Sequence, residues 1–432
     1  MAARGLVVAG LSSGSGKTTI TLGLLRALTR GGADLGAAKS GPDYIDAAFL
    51  TAASGTAAVN LDSHAMPADQ IRRLAATHPR GMLLVEGVMG LFDGTDGGSG
   101  STALVAAALG APVMLVIDCR HQAQTAAMLA AGIRTQLGAA SPLAGVILNR
   151  VASPRHESLI TAALAEHDIG FFGSLPVDET ITVPSRHLGL VQAADLAAGG
   201  TLEPRIEAAA DLVSTHLDLA AIIDAFGTLT PMAGSAVTLP PPGQRIALAR
   251  DAAFGFAYEH MIADWRSAGA EIMPFSPLAD EAPDISADFI FIPGGYPELH
   301  LPTLSNATRT LNGLRQAAAD GIRIYGECGG YMLLGETIAD KDGTPFGMAG
   351  LLRVETSFAA RKLHLGYRQM TPLAPFWPGL DRPVTGHEFH YTTAIRAEGE
   401  ALFAMRNAGG EDLGKAGLVS GSVAGSYAHI IA

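Results

Sequence analysis

Short apolar runs alternate with segments of helical periodicity through the first half of the chain. The apolar runs at residues 6–9, 82–85, 113–117 and 146–148 predict buried strands, and apolar residues three and four apart predict helices at 71–76 and 123–137. Strands that alternate with helices are typical of a parallel sheet with crossover helices. The pattern therefore predicts an α/β fold for this half.

The pattern breaks once, at residues 227–243, which read GTLTPMAGSAVTLPPPG. Prolines and scarce charge predict a linker there. Beyond it, strands are predicted at 245–249, 289–292 and 322–325, and helices at 258–268 and 308–319. We therefore expect two α/β domains, over residues 1–230 and 245–432.

The composition narrows the class of protein. A chain of 432 residues, 48% of them hydrophobic, is long enough for two or three domains with their own cores. A net charge of −12 argues against nucleic acid as a partner. No apolar run reaches about 18 residues, which argues against a membrane partner. The two cysteines and the lack of a secretory signal favour a cytoplasmic protein.

Residues 10–19, GLSSGSGKTT, lie between the first predicted strand and a helix. This is the context of a phosphate-binding loop, in which backbone amides, a lysine and a hydroxyl group serve the phosphates and Mg²⁺. The loop is one residue longer than the common G-x-x-x-x-G-K-T form, and a plain serine–glycine turn is the alternative. The residues predicted to bind nucleotide are Ser12, Gly14, Ser15, Gly16, Lys17, Thr18, Thr19 and, at a later strand end, Asn149.

Charged residues in two further segments suit a nucleotide site. Glu86 ends the apolar run in LLVEGVMGLFDG, where its carboxylate is predicted to complete a Mg²⁺ site with Thr18. In AAKSGPDYIDAAFL, Asp46 is predicted to join that metal site, and Lys39 to stabilise a phosphoryl group in transfer. Solvated loop residues are the alternative for both segments.

A cysteine between small neighbours marks the second half. In IRIYGECGGY, Cys328 follows an apolar strand and precedes two glycines, as a nucleophile at a sharp strand-to-helix turn requires. A buried, inert cysteine is the alternative. His429 in GSYAHIIA is the candidate base, and Gly294 and Gly295 in FIPGGYPELH are the candidate oxyanion donors. Cys119 is expected to be a core residue.

The longer loop, AAKSGPDYID and VEGVMGLFDG together resemble the synthetase domain of cobyrinic acid a,c-diamide synthases, which is itself similar to dethiobiotin synthetase. The resemblance implies ATP-dependent amidation of carboxylates on a corrin ring, with the triphosphate held by the loop. It implies Mg²⁺ ligation by Thr18, Asp46 and Glu86, catalytic roles for Lys39 and Asp43, and a corrinoid-facing set formed by Asp43, Tyr44, Ile45 and Asp93. Ala47 and Leu50 stand where the family commonly has a proline and a histidine.

GECGGY, PGGYPELH and the C-terminal histidine resemble the triad-type glutamine amidotransferase domain fused to cobyrinate and cobyrate synthetases. Members of that class often carry an acidic residue two positions after the histidine, where this chain has Ile431. Either Cys328 and His429 act as a dyad, or another group orients the imidazole. The segment GHEFHYT, residues 386–392, predicts an alternating strand with a corrinoid-facing or interdomain role, and a metal site is the alternative.

Together the motifs predict an ATP-, Mg²⁺- and glutamine-dependent amidoligase. It is expected to amidate the a and c carboxylates of cobyrinate or hydrogenobyrinate through an acyl phosphate, in cobalamin biosynthesis. Its expected partners are the corrinoid, L-glutamine and ATP, and a homodimer is one expected assembly. Cobyric acid synthase is the nearest enzymatic alternative, and a P-loop partitioning or scaffold ATPase is the alternative from another class.

Overall fold

The structure is a computed structural model that describes residues 3–177, 192–232 and 239–432. It divides into two units, Met1–Val237 and Thr238–Ala432, and this boundary lies within the predicted linker. The strands of the first unit are β1 (Arg4–Gly10), β2 (Leu35–Ser40), β3 (Val59–Leu61), β4 (Met82–Glu86), β5 (Val113–Asp118), β6 (Leu143–Val151), β7 (Phe171–Pro176) and β8 (Gly227–Thr228). Its helices are α1 (Lys17–Arg30), α2 (Tyr44–Ser54), α3 (Ala68–Thr77), α4 (Thr102–Leu109), α5 (Thr125–Leu137), α6 (Pro154–Glu166), α7 (Ala193–Ala198), α8 (Leu202–His216) and α9 (Leu219–Asp224).

One sheet organises the first unit. Its strand order is β3-β2-β4-β1-β5-β6-β7, with every neighbouring pair parallel. The four residues Leu6, Val7, Val8 and Ala9 of β1 are fully buried, which is typical of a parallel sheet covered on both faces. The carboxyl ends of β1, β2, β4, β5 and β6 share one edge of the sheet, where ligands of such folds bind.

The start of the predicted linker belongs to the first unit. The strand β8 pairs antiparallel with Arg4 and Gly5 at the beginning of β1. The Arg4 guanidinium group donates hydrogen bonds to the carbonyl oxygens of Ile223 and Phe226 at 2.9 to 3.1 Å. These bonds hold the chain against the sheet, so the linker can begin only after residue 228. Residues 233–238 lie outside the described residues.

The second unit is also mixed α/β. Its strands are β9 (Arg245–Ala249), β10 (Glu271–Phe275), β11 (Phe289–Ile292), β12 (Arg323–Glu327), β13 (Thr337–Ala339), β14 (Pro345–Gly347), β15 (Val354–Ser357), β16 (His364–Pro372), β17 (Val384–His390), β18 (Thr393–Ala397), β19 (Phe403–Asn407), β20 (Asp412–Ala416), β21 (Leu418–Ser420), β22 (Val423–Ser426) and β23 (Ala428–Ile430). Its α-helices are α10 (Glu259–Ser267), α11 (Leu301–Ser305), α12 (Thr308–Ala319) and α13 (Gly329–Leu334), and short 3₁₀ helices lie at Pro277–Ala279 and Pro297–Leu299.

Three sheets form the second unit. The largest has the order β10-β9-β11-β12-β22-β21 and is parallel except between β21 and β22. A four-stranded sheet, β14-β13-β15-β18, and a five-stranded sheet, β20-β19-β16-β17-β23, complete the unit. Buried side chains such as Phe254, Ile290 and Ile324 form its core. Because β12 leads into Cys328 and β23 contains His429, the fold brings the two predicted glutaminase residues to the largest and the five-stranded sheets.

The strands and helices predicted from the sequence are present, and their ends differ from the predicted ones by a few residues. None of the helices in the described residues is both long and apolar enough to cross a membrane.

Candidate functional sites

The predicted phosphate loop connects β1 to α1. Gly14 and Gly16 adopt positive φ angles of 77° and 93°, a region that residues with a Cβ rarely occupy. A Cβ on Gly10 would lie 2.3 Å from Ser15 Oγ, so the fold of the loop needs a glycine there as well. The loop ends at Gly16, directly before Lys17 opens α1. The backbone amides at this helix start are thus available to an anion.

The end of β6 braces the loop from one side. Asn149, predicted to bind the nucleotide, donates from Nδ2 to the carbonyl oxygen of Ser15 at 2.8 Å. Arg150 donates from Nη1 to the carbonyl oxygen of Gly14 at 2.8 Å and to Asp118 Oδ2 at 2.7 Å. Arg150 also has a φ of 59°, an unfavourable conformation for a residue with a side chain. The bracing therefore costs local strain.

Lys17 is held above the loop by two main-chain oxygens. Its Nζ donates to the carbonyl oxygens of Ser12 at 3.0 Å and of Met89 at 2.7 Å. Burial, followed by the charge of Lys39, lowers the pKa of the Lys17 ammonium group. An anionic phosphate would relieve both effects. Thr19, also predicted to bind nucleotide, lines a small cavity whose walls include Leu22, Phe49 and Ile206.

Thr18, Lys39, Asp46 and Glu86 meet in one hydrogen-bonded cluster. Thr18 Oγ1 donates to Glu86 Oε1 at 2.7 Å, and Lys39 Nζ donates to the same oxygen at 2.9 Å and to Asp46 Oδ2 at 2.5 Å. The cluster follows from strand register, because Lys39 of β2 and Glu86 of β4 are paired residues. Three residues predicted from separate motifs to hold Mg²⁺ thus surround one lysine.

Burial and mutual charge set the protonation of this cluster. Burial opposes the charge of Lys39, but Asp46 and Glu86 outweigh it and hold the lysine pKa well above its usual value. Burial acts against the Asp46 carboxylate as well, yet Lys39 keeps the pKa of Asp46 below the ordinary range. For Glu86, which is fully buried, desolvation prevails and raises the pKa. The cluster therefore holds one firm positive charge beside two carboxyl groups.

The donor atoms of the cluster fit a magnesium ion. Glu86 Oε2 is buried without a hydrogen-bond partner, and the other oxygen of the same carboxylate, Oε1, accepts a hydrogen bond from the Thr18 hydroxyl group. Mg²⁺ prefers oxygen ligands and is usually held by one or two carboxylates together with phosphate and water. The described residues contain no group of three or more His, Cys, Asp or Glu side chains suited to a metal ion, so phosphate and water oxygens would have to complete its coordination.

Asp43 precedes helix α2, in the segment for which solvated loop residues were the alternative prediction. Its Oδ1 accepts hydrogen bonds from the amides of Ile45 at 2.9 Å and Asp46 at 3.0 Å, which makes it the N-cap of α2. Burial and then the nearby Asp46 raise the pKa of Asp43 to about 7. Of the other residues predicted to face the substrate, Tyr44 and Ile45 are buried on α2. Asp93 is exposed and accepts a hydrogen bond from the amide of Gly90 at 2.8 Å.

Cys328 occupies a strained turn between β12 and α13. Its φ of 49° and ψ of −106° are unusual for a residue with a side chain, and its small neighbours make the turn feasible. A Cβ on Gly330 would lie 2.0 Å from the carbonyl oxygen of Ile292, and one on Gly326 2.7 Å from the carbonyl carbon of Gly330. Such a turn presents a nucleophile at the end of a sheet.

Two backbone amides point at the Cys328 sulfur. Burial and then the carboxylate of Glu298 raise the pKa of the thiol to about 12, while hydrogen bonds from the amides of Gly329 and Gly295 oppose that rise. Gly295 is one of the predicted oxyanion donors. At the other, Gly294, a Cβ would lie 3.0 Å from Cys328 Cβ. A side chain there would block the approach to the sulfur.

His429 lies beside the cysteine and faces an unexpected carboxylate. A Cβ on Gly294 would lie 2.1 Å from His429 Cε1, so the imidazole and Cys328 border the same small space. On the other side of the ring, Nδ1 is 3.7 Å from Glu327 Oε2. Ile431, at the position where related amidotransferases often have an acid, is buried. Burial lowers the pKa of His429 to about 3 and raises that of Glu327 to about 8, which disfavours both charges.

The segment 386–392 supplies further polar groups near the cysteine. Most of it forms β17, as its alternating pattern predicted. Glu388 accepts hydrogen bonds from Arg368 Nε at 2.6 Å and pairs with His390 Nε2 at 3.0 Å. His387 is paired with His429 across β17 and β23, and the Cys328 thiol lies 3.8 Å from the carbonyl oxygen of Phe389. In the part of the chain that the structure describes, these side chains form no three-ligand metal cluster.

Sequence reasoning missed two residues of these sites. Glu327 directly precedes Cys328, and a carboxylate at the end of the buried strand IRIYGE is itself a signal. Arg150 follows Asn149 at a strand end of the same kind. Both are charged residues at the carboxyl ends of parallel strands, where functional side chains concentrate.

Two family models match the chain. Residues 6–191 match the CobQ/CobB/MinD/ParA nucleotide binding domain, and residues 245–432 match the CobB/CobQ-like glutamine amidotransferase domain. These matches, together with the parallel sheets of the structure, confirm the predicted fold class of a P-loop synthetase domain followed by an α/β amidotransferase domain.

Curated relatives match over the full length. The hydrogenobyrinate a,c-diamide synthase of Rhizobium meliloti (strain 1021) is 50% identical over 99% of this chain and 99% of its own. Those of Brucella abortus and Rhodobacter capsulatus are 49% and 48% identical, over 99% of this chain and 98% and 99% of their own. Among solved structures, that of PurLQS from Thermotoga maritima is 16% identical over 43% of this chain and 87% of its own, with a TM-score of 0.31. The resemblance predicted from the motifs is thereby confirmed at the level of the family.

Proposed function

The chain belongs to the family of the hydrogenobyrinate a,c-diamide synthases, and we propose that it amidates the a and c carboxylates of hydrogenobyrinate with ammonia from glutamine and with ATP. A nucleotide-binding domain and a glutamine amidotransferase domain in one chain make it a glutamine-dependent, amide-forming ligase of cobalamin biosynthesis. The proposed partners are the corrinoid, L-glutamine and ATP, and the proposed compartment is the cytoplasm.

The first unit activates a carboxylate in this proposal. The loop from Ser12 to Thr19 holds the triphosphate, with Lys17 on its outer phosphates. A corrin carboxylate attacks the γ-phosphorus, ADP leaves, and an acyl phosphate forms. Lys39, whose pKa stays high, stabilises the negative charge that builds up on the phosphoryl group in transfer. This role is supported by its position between Asp46 and Glu86.

Thr18, Asp46 and Glu86 would hold the magnesium ion. When bound, Mg²⁺ neutralises charge on the phosphate oxygens and orients them. The cluster also positions residues for the second step, in which ammonia attacks the acyl carbon and phosphate leaves. Asp43, with a pKa of about 7, is suited to accept the proton that ammonia loses in that attack.

The second unit releases the ammonia. Cys328 transfers its proton to His429, and the sulfur attacks the side-chain amide carbon of glutamine. The amides of Gly295 and Gly329 stabilise the oxyanion, with Gly294 leaving room for the substrate. His429 then protonates the leaving nitrogen, which departs as ammonia, and water hydrolyses the thioester to glutamate.

The observation that carries the proposal is the strained turn at Cys328, with its two amides on the sulfur and His429 at its side. A P-loop partitioning or scaffold ATPase would need the first unit only. That function would not explain the arrangement around Cys328. Cobyric acid synthase shares both units, but full-length relatives named for a,c-diamide synthesis favour the a and c carboxylates.

Mass spectrometry of the product tests the proposal. The purified chain is incubated with ATP, Mg²⁺ and glutamine, and with either hydrogenobyrinate, cobyrinate or a corrinoid already amidated at a and c. We expect two amide groups to be added to hydrogenobyrinate and none to the a,c-diamide. Amidation of the a,c-diamide alone would identify a cobyric acid synthase, and ATP hydrolysis without any amide product would favour the partitioning ATPase. Preference for cobyrinate would show that the substrate is the cobalt-containing corrinoid instead of the metal-free one.

A further inference from the structure

Glu327 and His429 form a buried pair whose two members lie in different sequence motifs, about 100 residues apart. Glu327 ends β12 and precedes the nucleophile, and His429 lies on β23 in another sheet. Glu327 Oε2 is 3.7 Å from His429 Nδ1, and the exposed fractions of the two side chains are 2% and 0%. Burying two groups that can carry opposite charges costs desolvation free energy, which only good geometry and further hydrogen bonds offset.

The carboxylate is fixed independently of the imidazole. Its other oxygen, Oε1, accepts a hydrogen bond from the backbone amide of Ile430 at 2.9 Å. Because Ile430 follows His429 directly, this bond ties β23 to the end of β12. Oε2 is thereby directed toward the ring, while Oε1 is already occupied.

The imidazole presents its two nitrogens to different partners. A Cβ on Gly294 would lie 2.7 Å from Nε2 and 3.0 Å from Cys328 Cβ, so Nε2 is on the side of the nucleophile. Nδ1 is on the side of Glu327. A cysteine–histidine pair works when a third group holds the imidazole in the tautomer whose free nitrogen faces the nucleophile. The buried Ile431 side chain has no polar atom with which to do so.

We propose that Glu327 positions His429: its carboxylate accepts a hydrogen bond from Nδ1–H, so that Nε2 carries no proton of its own and can take the proton of Cys328. This inference rests on the proposed glutaminase function of the second unit. The separation of 3.7 Å is longer than a hydrogen bond, and the proposal requires it to shorten when glutamine binds, as catalytic hydrogen bonds commonly do.

The protons balance as follows. Before the reaction the thiol holds one proton, Nδ1 holds one and Glu327 is ionised. When Sγ attacks the amide carbon, a C–S bond forms, the carbonyl π pair moves to oxygen as an oxyanion, and the thiol proton moves to Nε2. The imidazolium then lies between this tetrahedral adduct and the Glu327 carboxylate. Nε2 returns that proton to the departing nitrogen. Glu327 neither gains nor loses a proton in the cycle.

Other titratable groups surround the pair and bear on its pH dependence. Tyr325 on β12 faces Glu327, and His387, Glu388 and His390 on β17 face His429. Burial raises the Glu327 pKa to about 8, so its ionised, working form grows as pH rises toward that value. We therefore expect glutaminase activity of the unaltered chain to increase with a midpoint at about pH 8 and to level off above it.

Glu327→Gln is the decisive variant. The amide keeps the size of the side chain and its bond to Ile430, but its NH₂ group donates to Nδ1 and forces the proton onto Nε2. The same change in a serine protease triad costs about 10⁴-fold in kcat. We expect glutaminase kcat to fall by roughly 10²–10⁴-fold with little change in KM for glutamine. Glu327→Asp keeps a carboxylate and is expected to recover part of the loss.

A second readout follows the thiolate directly. Iodoacetamide labelling of the full chain at a series of pH values, with Cys328 and Cys119 followed separately by peptide mass spectrometry, reports how readily each thiol ionises. We expect Glu327→Gln to move the labelling profile of Cys328 to higher pH and to leave that of Cys119 unchanged. Glu336→Gln, which removes a carboxylate paired with Arg396 in the same unit, is the matched control.

Two outcomes would overturn the inference. The ring also hydrogen-bonds to the main chain of Phe256, and if that bond alone fixed the tautomer, Glu327→Gln would retain the kcat and the labelling profile of the unaltered chain. If Glu327 were only structural, Glu327→Gln and Glu327→Asp would lose ammonia-driven amidation and thermal stability along with glutaminase activity. Failure of the proposed function is distinguishable, because Cys328→Ala would then keep its glutaminase activity.

Discussion

Lys39 of β2 and Glu86 of β4 are paired across adjacent strands, and Lys39 Nζ donates to Glu86 Oε1 at 2.9 Å inside the sheet. Both side chains are almost entirely buried. A buried ion pair of this kind is a weak source of stability, because desolvation offsets the attraction. Its value is in placing a cation and two carboxyl groups where a triphosphate is expected.

Removing the lysine should therefore affect both stability and activity. In Lys39→Met the carboxylates of Asp46 and Glu86 lose their cation, which costs about 3–5 kcal/mol when a buried pair is broken. We expect amidation to be lost with glutamine and with ammonium salts alike, because the phosphoryl group loses its stabilising charge. Urea unfolding and product formation measure the two effects. Glutamine hydrolysis by the same variant, if unchanged, shows that the second unit is folded.

Cys328→Ala should separate the two nitrogen sources. Only the supply of ammonia is lost, so glutamine-dependent amidation should disappear while synthesis from ammonium salts continues. Free ammonia at alkaline pH is the substrate of that control reaction, because ammonium has no lone pair. Equal loss with both donors would mean that Cys328 is structural, and that outcome would contradict the assignment of the second unit.

Arg150→Ala tests the bracing of the phosphate loop. The variant removes the hydrogen bonds from the guanidinium group to the Gly14 carbonyl and to Asp118. A hydrogen bond to a charged group contributes about 1.5–3 kcal/mol, so the KM for ATP should rise roughly ten- to a hundredfold. Glutaminase activity is the internal control. Arg134→Ala, which removes an exposed arginine bound to the carbonyl oxygens of His167 and Asp168, is the matched variant and should leave the KM for ATP unchanged.

The sequence predicts those parts of the fold that are encoded locally. The first strand is predicted because it is a continuous apolar run, and the 308–319 helix is predicted because its apolar residues recur with helical spacing. The strand β2, LGAAKS, was missed because small residues and a lysine give little contrast between buried and exposed positions. Apart from β17, the strands from residue 337 onwards were also missed, since several are only three residues long.

The candidate sites divide in the same way. Gly14, Lys17 and Thr18 are close in sequence, so a motif identifies them. The contact between Glu327 and His429 depends on β12 pairing with β22 and on β23 pairing with β17. No local pattern specifies such long-range pairing. The sequence therefore shows that Ile431 is no acid, but only the structure shows which carboxylate lies beside the imidazole.

The raised pKa of Glu327 predicts a pH-dependent gain in stability when its charge is removed. Folding raises the pKa of the Glu327 carboxyl group from 4.5 to about 8. The contribution of this group to stability is therefore fully present below pH 4.5 and is lost as pH rises through 8. Glu327→Gln should therefore be more stable than the unaltered chain, by a margin that grows from pH 4.5 to pH 8 at about 1.4 kcal/mol per unit, less whatever His429 offsets. Thermal unfolding across that range measures it, and a constant or negative margin would contradict the burial of an ionised Glu327.

Ile431→Glu restores the acid that related amidotransferases often carry, and the structure predicts that it harms this chain. Ile431 is 1% exposed, and its carbonyl oxygen lies 2.9 Å from His260 Nε2, so the backbone is fixed and the side chain has no route to solvent. We expect a loss of about 3 kcal/mol or more in the free energy of unfolding, since the charge has no counterion. Ile431→Leu, which keeps the volume, should cost less than about 1.5 kcal/mol. If Ile431→Glu were as stable as Ile431→Leu and hydrolysed glutamine faster than the unaltered chain, the acid at position 431 would be the missing partner and Glu327 would not.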